Sequence, residues 1–284
     1  MLAPEPRICA APLGDLSRLC IHTMTTRPLV FSDAVSRYAA IGAKGITVWR
    51  SAIEGLGPTA AGRLARDQGL AIVSLCRGGF FVSGSEEGRR KAIDDNRRCI
   101  EEAATLGAPL VVLVCGADPG VSLPEARAQI EESISALVPD AAASGVRLAI
   151  EPLHPMYAGD RSAVNTLAQA RAICSRVDSP WVGIAVDVYH TWWDERLEGE
   201  LAACGAEGRL FSFHISDWLT PTRDLLEDRG IMGEGCIPIR EIRGWAERAG
   251  FRGFIEVEIF SRRLWEMDQD TYLERIAAAF LSHA

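Results

Sequence analysis

The chain has 284 residues, 48% of them hydrophobic and 24% charged, with a formal net charge of −8. That balance excludes a disordered chain and counts against general attraction to a phosphate backbone, so nucleic acid is not an expected partner. The length fits two small domains or one α/β barrel of about 250 residues, and no linker divides it.

The first fifteen residues, MLAPEPRICAAPLGD, hold Pro4, Glu5, Pro6 and Pro12 where a signal peptide would be continuously apolar. No run of about 18 apolar residues occurs elsewhere, so a cytoplasmic protein without a membrane span is expected. The cysteines, at 9, 20, 76, 99, 115, 174, 204 and 236, form no C-x-x-C pair, and several lie in apolar runs, as reduced core residues do. Only Lys44 and Lys91 are available for Schiff-base chemistry.

Residues 1–17 read as an N-terminal extension, followed by a strand at 18–22 and a helix near 32–42 that Ser32 and Asp33 cap and Gly42 ends. A strand at 45–49, a helix at 58–68 and a strand at 70–75 come next, then a helix at 86–106, a strand at 110–115, a helix at 122–144 and a strand at 146–151. The second half repeats the alternation: helix 165–177, strand 182–187, helix 194–204, strand 210–215, helix 238–249, strand 253–258 and helix 267–281. Gly69, Gly107, Gly145 and Gly250 stand just after helices, where a left-handed residue ends them. Strand and helix alternating in this way predict a parallel sheet with crossover helices, closed as one barrel over 1–284; a doubly wound open sheet is the alternative.

Four of these strands end on residue types that ligate metals: Glu151 after RLAI, Asp187 after VGIAV, His214 after LFSF and Glu258 after GFIEV. Period-two alternation puts them on one side of the sheet. Val182, Ile184 and Val186 face the helices and Gly183, Ala185 and Asp187 the interior; Phe211, Phe213 and Ile215 face out and Ser212 and His214 in. Leu148, Ile150, Ile255, Val257 and Ile259 are outward, leaving Ala149, Glu151, Glu256 and Glu258 inward. Side chains at the carboxyl ends of barrel strands meet in the mouth where such enzymes work, so the four converge on one ion. Three carboxylates and one imidazole suit Mn²⁺ first, with Mg²⁺, Co²⁺ or Zn²⁺ as alternatives. Burying them without a cation would cost several kcal/mol apiece, so an ion neutralises them or they titrate upward.

The segments IEPLHP at 150–155, DVYH at 187–190, HISD at 214–217, GEGCIP at 233–238 and IEVEIF at 255–260 resemble the sugar isomerase and epimerase group with the xylose isomerase-like TIM barrel. The resemblance covers nearly the whole barrel. It implies that Glu151, Asp187, His214 and Glu258 bind one divalent ion, that Glu151 and Glu258 also move a proton at carbons beside a carbonyl, and that His190 contacts sugar oxygens. The reaction it implies is isomerisation or epimerisation of a sugar or polyol ketone through an enediolate, with lyase or dehydratase chemistry as the nearest rival. Members that epimerise ketohexoses often carry an arginine six residues after the metal histidine; here Thr220 stands there, which counts against a free ketohexose.

Other residues have two readings each. His154 is a partner of the metal ligands, a general base or a structural loop histidine, and His22, at the end of the first strand, a substrate contact or packing. Trp49, Phe80, Phe81, Trp192, Trp193 and Trp218 stack on a sugar face or merely pack. Glu256 competes with Glu258 as the ligand, and Asp217 orients the loop or metal-bound groups. RGGFF at 77–81 and GIMGEG at 230–235 are read as turns, since neither fits a nucleotide-binding loop. The long segment 217–237 is read as a lid over the mouth. Arg50, Arg77 and Arg223 lie on the rim, facing a substrate phosphate or solvent. The expected partner is a small carbohydrate, with a homo-oligomer compatible with the sequence. Two further classes compete: an endonuclease IV-like phosphodiesterase, disfavoured because His22, His154, His190, His214 and His283 are too few for a histidine-rich three-metal cluster, and a non-catalytic sugar-binding barrel.

Overall fold

The computed structural model describes residues 10–284. Its strands are β1 (Leu19–His22), β2 (Gly45–Trp49), β3 (Ala71–Gly79), β4 (Leu110–Val114), β5 (Arg147–Ile150), β6 (Val182–Asp187), β7 (Leu210–Ile215), β8 (Asp217–Trp218), β9 (Arg229–Gly230) and β10 (Ile255–Val257). All but β8 and β9 close into a parallel barrel in the order β1-β10-β7-β6-β5-β4-β3-β2. Closure of β1 against β10 decides between the barrel and the open sheet in favour of the barrel. Glu151 and Glu258 extend their strands by one rung each, their N–H groups donating to Leu113 O at 3.0 Å and Ile215 O at 3.1 Å.

Outward strand residues, among them Leu148, Ile150, Ile184, Phe213 and Val257, pack with the surrounding helices into the main core. A smaller apolar plug of Cys76, Leu110, Val112, Ala149 and Ala185 fills the barrel interior. Phe211 joins that plug, contrary to the outward position that strict alternation assigns it. The reason is a register shift between β6 and β7, where Ala185 pairs with Ser212 after Ile184 pairs with Leu210, so Phe211 is bulged inward. Gly183 makes room for it: a Cβ there would lie 2.5 Å from the Phe211 ring.

Several local expectations are corrected. RGGFF is no turn at its start, because β3 runs on through Gly79. Gly79, at φ +107°, brings the backbone so close to β4 that a Cβ would sit 1.9 Å from Val114 O, and Phe80 follows at φ +56°, rare for a bulky side chain. Ser32 and Asp33 lie inside the first turn of the helix Phe31–Ala40, whose N-cap is Val30 without a side-chain cap. The helical residues after β6 begin at once, as Val188–Thr191, and the main helix there is Leu197–Ala206. The last helix forms as expected, as Gln269–His283 capped by Asp268, and a short additional helix, Arg262–Trp265, precedes it.

Of the extension, 1–9 lie outside the described residues, while Ala10 O and Ala11 O accept hydrogen bonds from Arg240 and Arg243. The cysteines from Cys20 onward are free thiols, buried except for Cys236; Cys9 lies outside the described residues. No helix among the described residues is long and apolar enough to cross a membrane.

Candidate metal centre and substrate cavity

Glu151, Asp187, His214 and Glu258 come together at the carboxyl ends of β5, β6, β7 and β10, each buried, with one ligand atom from each lying within 4.8 Å of the others. An ion bound at about 2.0–2.3 Å would hold opposite ligand atoms about 4–4.6 Å apart, so the spacing fits one small divalent cation. Glu151 Oε1 is 3.1 Å from His214 Nδ1, and Asp187 Oδ1 accepts from the Tyr189 N–H at 2.8 Å.

Glu256, the competing carboxylate, lies one layer deeper. Its Oε2 faces His22 Nε2 at 3.2 Å and accepts from Thr47 at 2.5 Å and Ser74 at 3.3 Å, while Oε1 accepts from Ser212. With both oxygens occupied it supports the floor, and His22 ties that floor to the layer above through Nδ1, 3.0 Å from Glu258 Oε1. His22 is fully buried and serves the carboxylates.

The site also holds a cation that sequence reasoning missed. Arg229, 2% exposed, reaches in from β9: Nη1 donates to Asp187 Oδ2 at 2.9 Å, Glu258 Oε2 at 3.2 Å and Glu258 O at 3.2 Å, and Nη2 to His190 Nε2 at 3.2 Å. Its guanidinium lies over Tyr189 and Phe260, 4.3 and 4.9 Å from the ring centroids. Thr220 is exposed. An arginine is thus present at the centre, brought in by the returning strand of the hairpin and not by the position six residues after His214.

These charges set one another's protonation. Burial pushes the Asp187 carboxyl up to about 7 although Arg229 opposes it. Burial would also raise Glu256 and Glu258, but His214 and His22 outweigh it, leaving Glu256 at about 2 and Glu258 well below the usual range. Burial disfavours protonated His214, yet Glu256 and Glu151 hold it up at about 9. His190 goes the other way, its protonated form opposed by burial and then by Arg229. Because Arg229 can only donate, neutral His190 accepts at Nε2 and carries its proton on Nδ1, a buried atom without a hydrogen-bond partner among the described residues.

Above the carboxylates opens a cavity of about 210 Å³ lined by, among others, Trp49, Glu151, His190, Arg229, Glu258 and Phe260. That is below the roughly 300–1,000 Å³ of pockets for drug-sized ligands and suits a small substrate. Trp49 meets Phe260 edge-on at 5.5 Å. The structure does not bring His154 or Trp218 into this lining. His154 Nδ1 accepts from the Met156 N–H at 3.2 Å, and its ring packs on Trp193 and Trp218; Trp218 stacks on Tyr189 at 4.8 Å.

The segment 217–237 is a short hairpin rather than a bare loop, and its Leu226, Glu227 and Arg229 form one wall of the cavity. Asp217 holds it by accepting four backbone N–H bonds, from Trp218 and Ile237 at Oδ1 and from Gly233 and Gly235 at Oδ2. Asp217 therefore orients the loop and leaves the metal centre to others.

The comparisons agree with this architecture. An inosose isomerase of Bacillus licheniformis is 27% identical over 198 residues, 67% of this chain and 68% of that protein. The crystal structure of protein SMc04130 from Sinorhizobium meliloti 1021 superimposes with a TM-score of 0.92 at 45% identity, covering 95% of this chain and 99% of that one. The IolI protein, solved with a zinc atom, shares the fold at a TM-score of 0.81 and 20% identity, over 93% and 97% of the two chains. The family model described as a xylose isomerase-like TIM barrel matches residues 35–282, and the chain belongs to that family.

Proposed function

We propose that the protein is a divalent-metal-dependent isomerase or epimerase of a sugar or polyol ketone, moving a proton at a carbon next to a carbonyl. The observation that carries this reading is the convergence of Glu151, Asp187, His214 and Glu258 beneath a small cavity, with Glu151 and Glu258 on strands three places apart around the barrel. The likeness to inosose isomerases, with 67% of this chain aligned, supports the reaction class, and the zinc in the IolI protein supports a divalent ion on this fold. The oxygen-rich donor set favours Mn²⁺, with Mg²⁺, Co²⁺ or Zn²⁺ as alternatives.

When bound, the ion supplies polarisation of the substrate carbonyl and its neighbouring hydroxyl. The protein's own groups do the rest. Glu151 and Glu258 approach from different sides of the mouth, so one carboxylate takes the proton from the carbon and the other can return it on the opposite face, as epimerisation requires. His190, on the cavity wall and held at Nε2 by Arg229, orients the substrate through its oxygens. Trp49 and Phe260 exclude water from the reacting carbon.

The test is incubation of the Mn²⁺-loaded protein with keto-sugars and inososes in D₂O. Deuterium should enter at a carbon beside the carbonyl of at least one of them, with an epimer or isomer as product. An eliminated product would move the assignment to a lyase, and no exchange with any of them would refute proton transfer.

A further inference from the structure

Three rim arginines stand out in the sequence, and the structure separates them. Arg50 is committed to Glu102 and Asp95, at 2.7 and 3.0 Å, and Arg223 does not line the cavity. Arg77 does line it, and so does Arg161, delivered by the segment after β5. Neither has an ion pair or a side-chain hydrogen bond among the described residues. What they have are aromatic supports: the Arg77 guanidinium lies 4.2 Å from the Phe80 ring centroid and that of Arg161 5.6 Å from Tyr157.

Two guanidinium groups on the wall of one small cavity repel, and burial with Arg161 nearby lowers the affinity of Arg77 for its proton. The local structure nonetheless holds them there. Gly79 and the left-handed Phe80 turn the end of β3 so that the ring lies beneath Arg77, and Gly116 allows the close approach, since a Cβ there would sit 2.8 Å from Phe80 Cα. Of the acids in the lining, Glu227 is bound to Arg27 and Arg262, while Glu151 and Glu258 act on Arg77 only through space and direct their oxygens to His214, His22 and Arg229. The missing counter-charge of the two arginines is therefore sought in what enters the cavity.

We propose that the substrate carries an anionic oxygen group, a carboxylate or a phosphate, held by Arg77 and Arg161 while its carbonyl end faces Glu151 and Glu258. The proposal rests on the cavity being the substrate site and narrows the substrate to acidic or phosphorylated keto-sugars. Planar guanidinium forks match both kinds of anion, and their aromatic supports set the fork planes before the ligand arrives.

Calorimetric binding to the Mn²⁺-loaded protein tests this with matched probes: D-ribulose against D-ribulose 5-phosphate, and D-fructose against D-fructuronate. Charge-assisted hydrogen bonds predict that at least one anionic probe binds about tenfold or more tighter than its neutral partner. The probe pair with the larger ratio says whether phosphate or carboxylate is the natural group. In Arg77→Gln/Arg161→Gln the ratio should fall to near one, and Arg77→Lys/Arg161→Lys should restore part of it. No preference in the parent, including no binding of any probe, overturns the proposal, as does a preference that survives the double Gln variant. Since the readout is a binding ratio and not turnover, failure of the isomerase reading would appear separately, as absent deuterium exchange with the anion preference intact.

Discussion

Replacing Arg229 by Met should make the protein bind its divalent ion more tightly while making it a poorer enzyme. Arg229 is the permanent cation among the proposed ligands, its Nη1 2.9 Å from Asp187 Oδ2 and 3.2 Å from Glu258 Oε2, all of them buried. Removing one partner of a buried ion pair typically costs about 3–5 kcal/mol, because the other charge is left uncompensated. In the metal-free protein Asp187 and Glu258 would bear that cost. With an ion between them they are already compensated, so the loss should be smaller. If only about 1.4 kcal/mol of the cost is confined to the metal-free form, linkage requires tenfold tighter metal binding by the variant. Urea unfolding of parent and Arg229→Met, each with EDTA and with saturating Mn²⁺, measures both halves, and direct titration of Mn²⁺ measures the affinity. Equal destabilisation with and without metal, or weaker Mn²⁺ binding by the variant, would refute the view that Arg229 stands in for part of the ion's charge.

Asp187→Ala and His214→Ala should each abolish stoichiometric metal uptake, seen by elemental analysis after dialysis; unchanged affinity in both would displace the proposed ligand set. Glu151→Gln and Glu258→Gln keep shape and one oxygen donor, so they should lose substrate deuterium exchange, by about 10²-fold or more, more severely than they lose metal. His190→Ala should retain metal and lose about two- to tenfold in kcat/KM, the scale of one hydrogen bond to a neutral group of about 0.5–1.5 kcal/mol, whereas a loss near 10³-fold would make His190 a proton carrier. Asp217→Asn, in which an amide replaces one oxygen that accepts backbone N–H groups, should destabilise by about 1.5–3 kcal/mol in urea unfolding and raise amide exchange across 230–237.

The four strand-end residues were legible because a strand's period of two is rigid: once Val182, Ile184 and Val186 face the helices, Asp187 has one place to go. The same rule misplaced Phe211, since a bulge adds a residue without any mark in an apolar run. Two glycines in RGGFF suggest a turn, yet the missing Cβ of Gly79 lets β3 continue against β4. Arg229 left no signal. It sits in an irregular stretch, DLLEDRGIMGEG, where neither helical nor strand periodicity fixes a direction, and its burial depends on how β9 folds back onto β8. His190 was assigned from spacing and resemblance, but which of its nitrogens is free depends on Arg229 and was equally invisible.

The seam of the barrel and the proposed reaction centre share residues. His22, on the first strand, holds Glu256, 234 positions later, and also Glu258, while β1 registers on β10 through Leu19 and Ile255. Glu258 is therefore fixed from both neighbours of β10, by its N–H on Ile215 O of β7 and by His22 of β1 on its carboxylate. A substitution that loosens the β1–β10 seam is expected to shift that carboxylate along with the fold, so the join between the chain's two ends and the chemistry of the mouth are maintained by the same side chains.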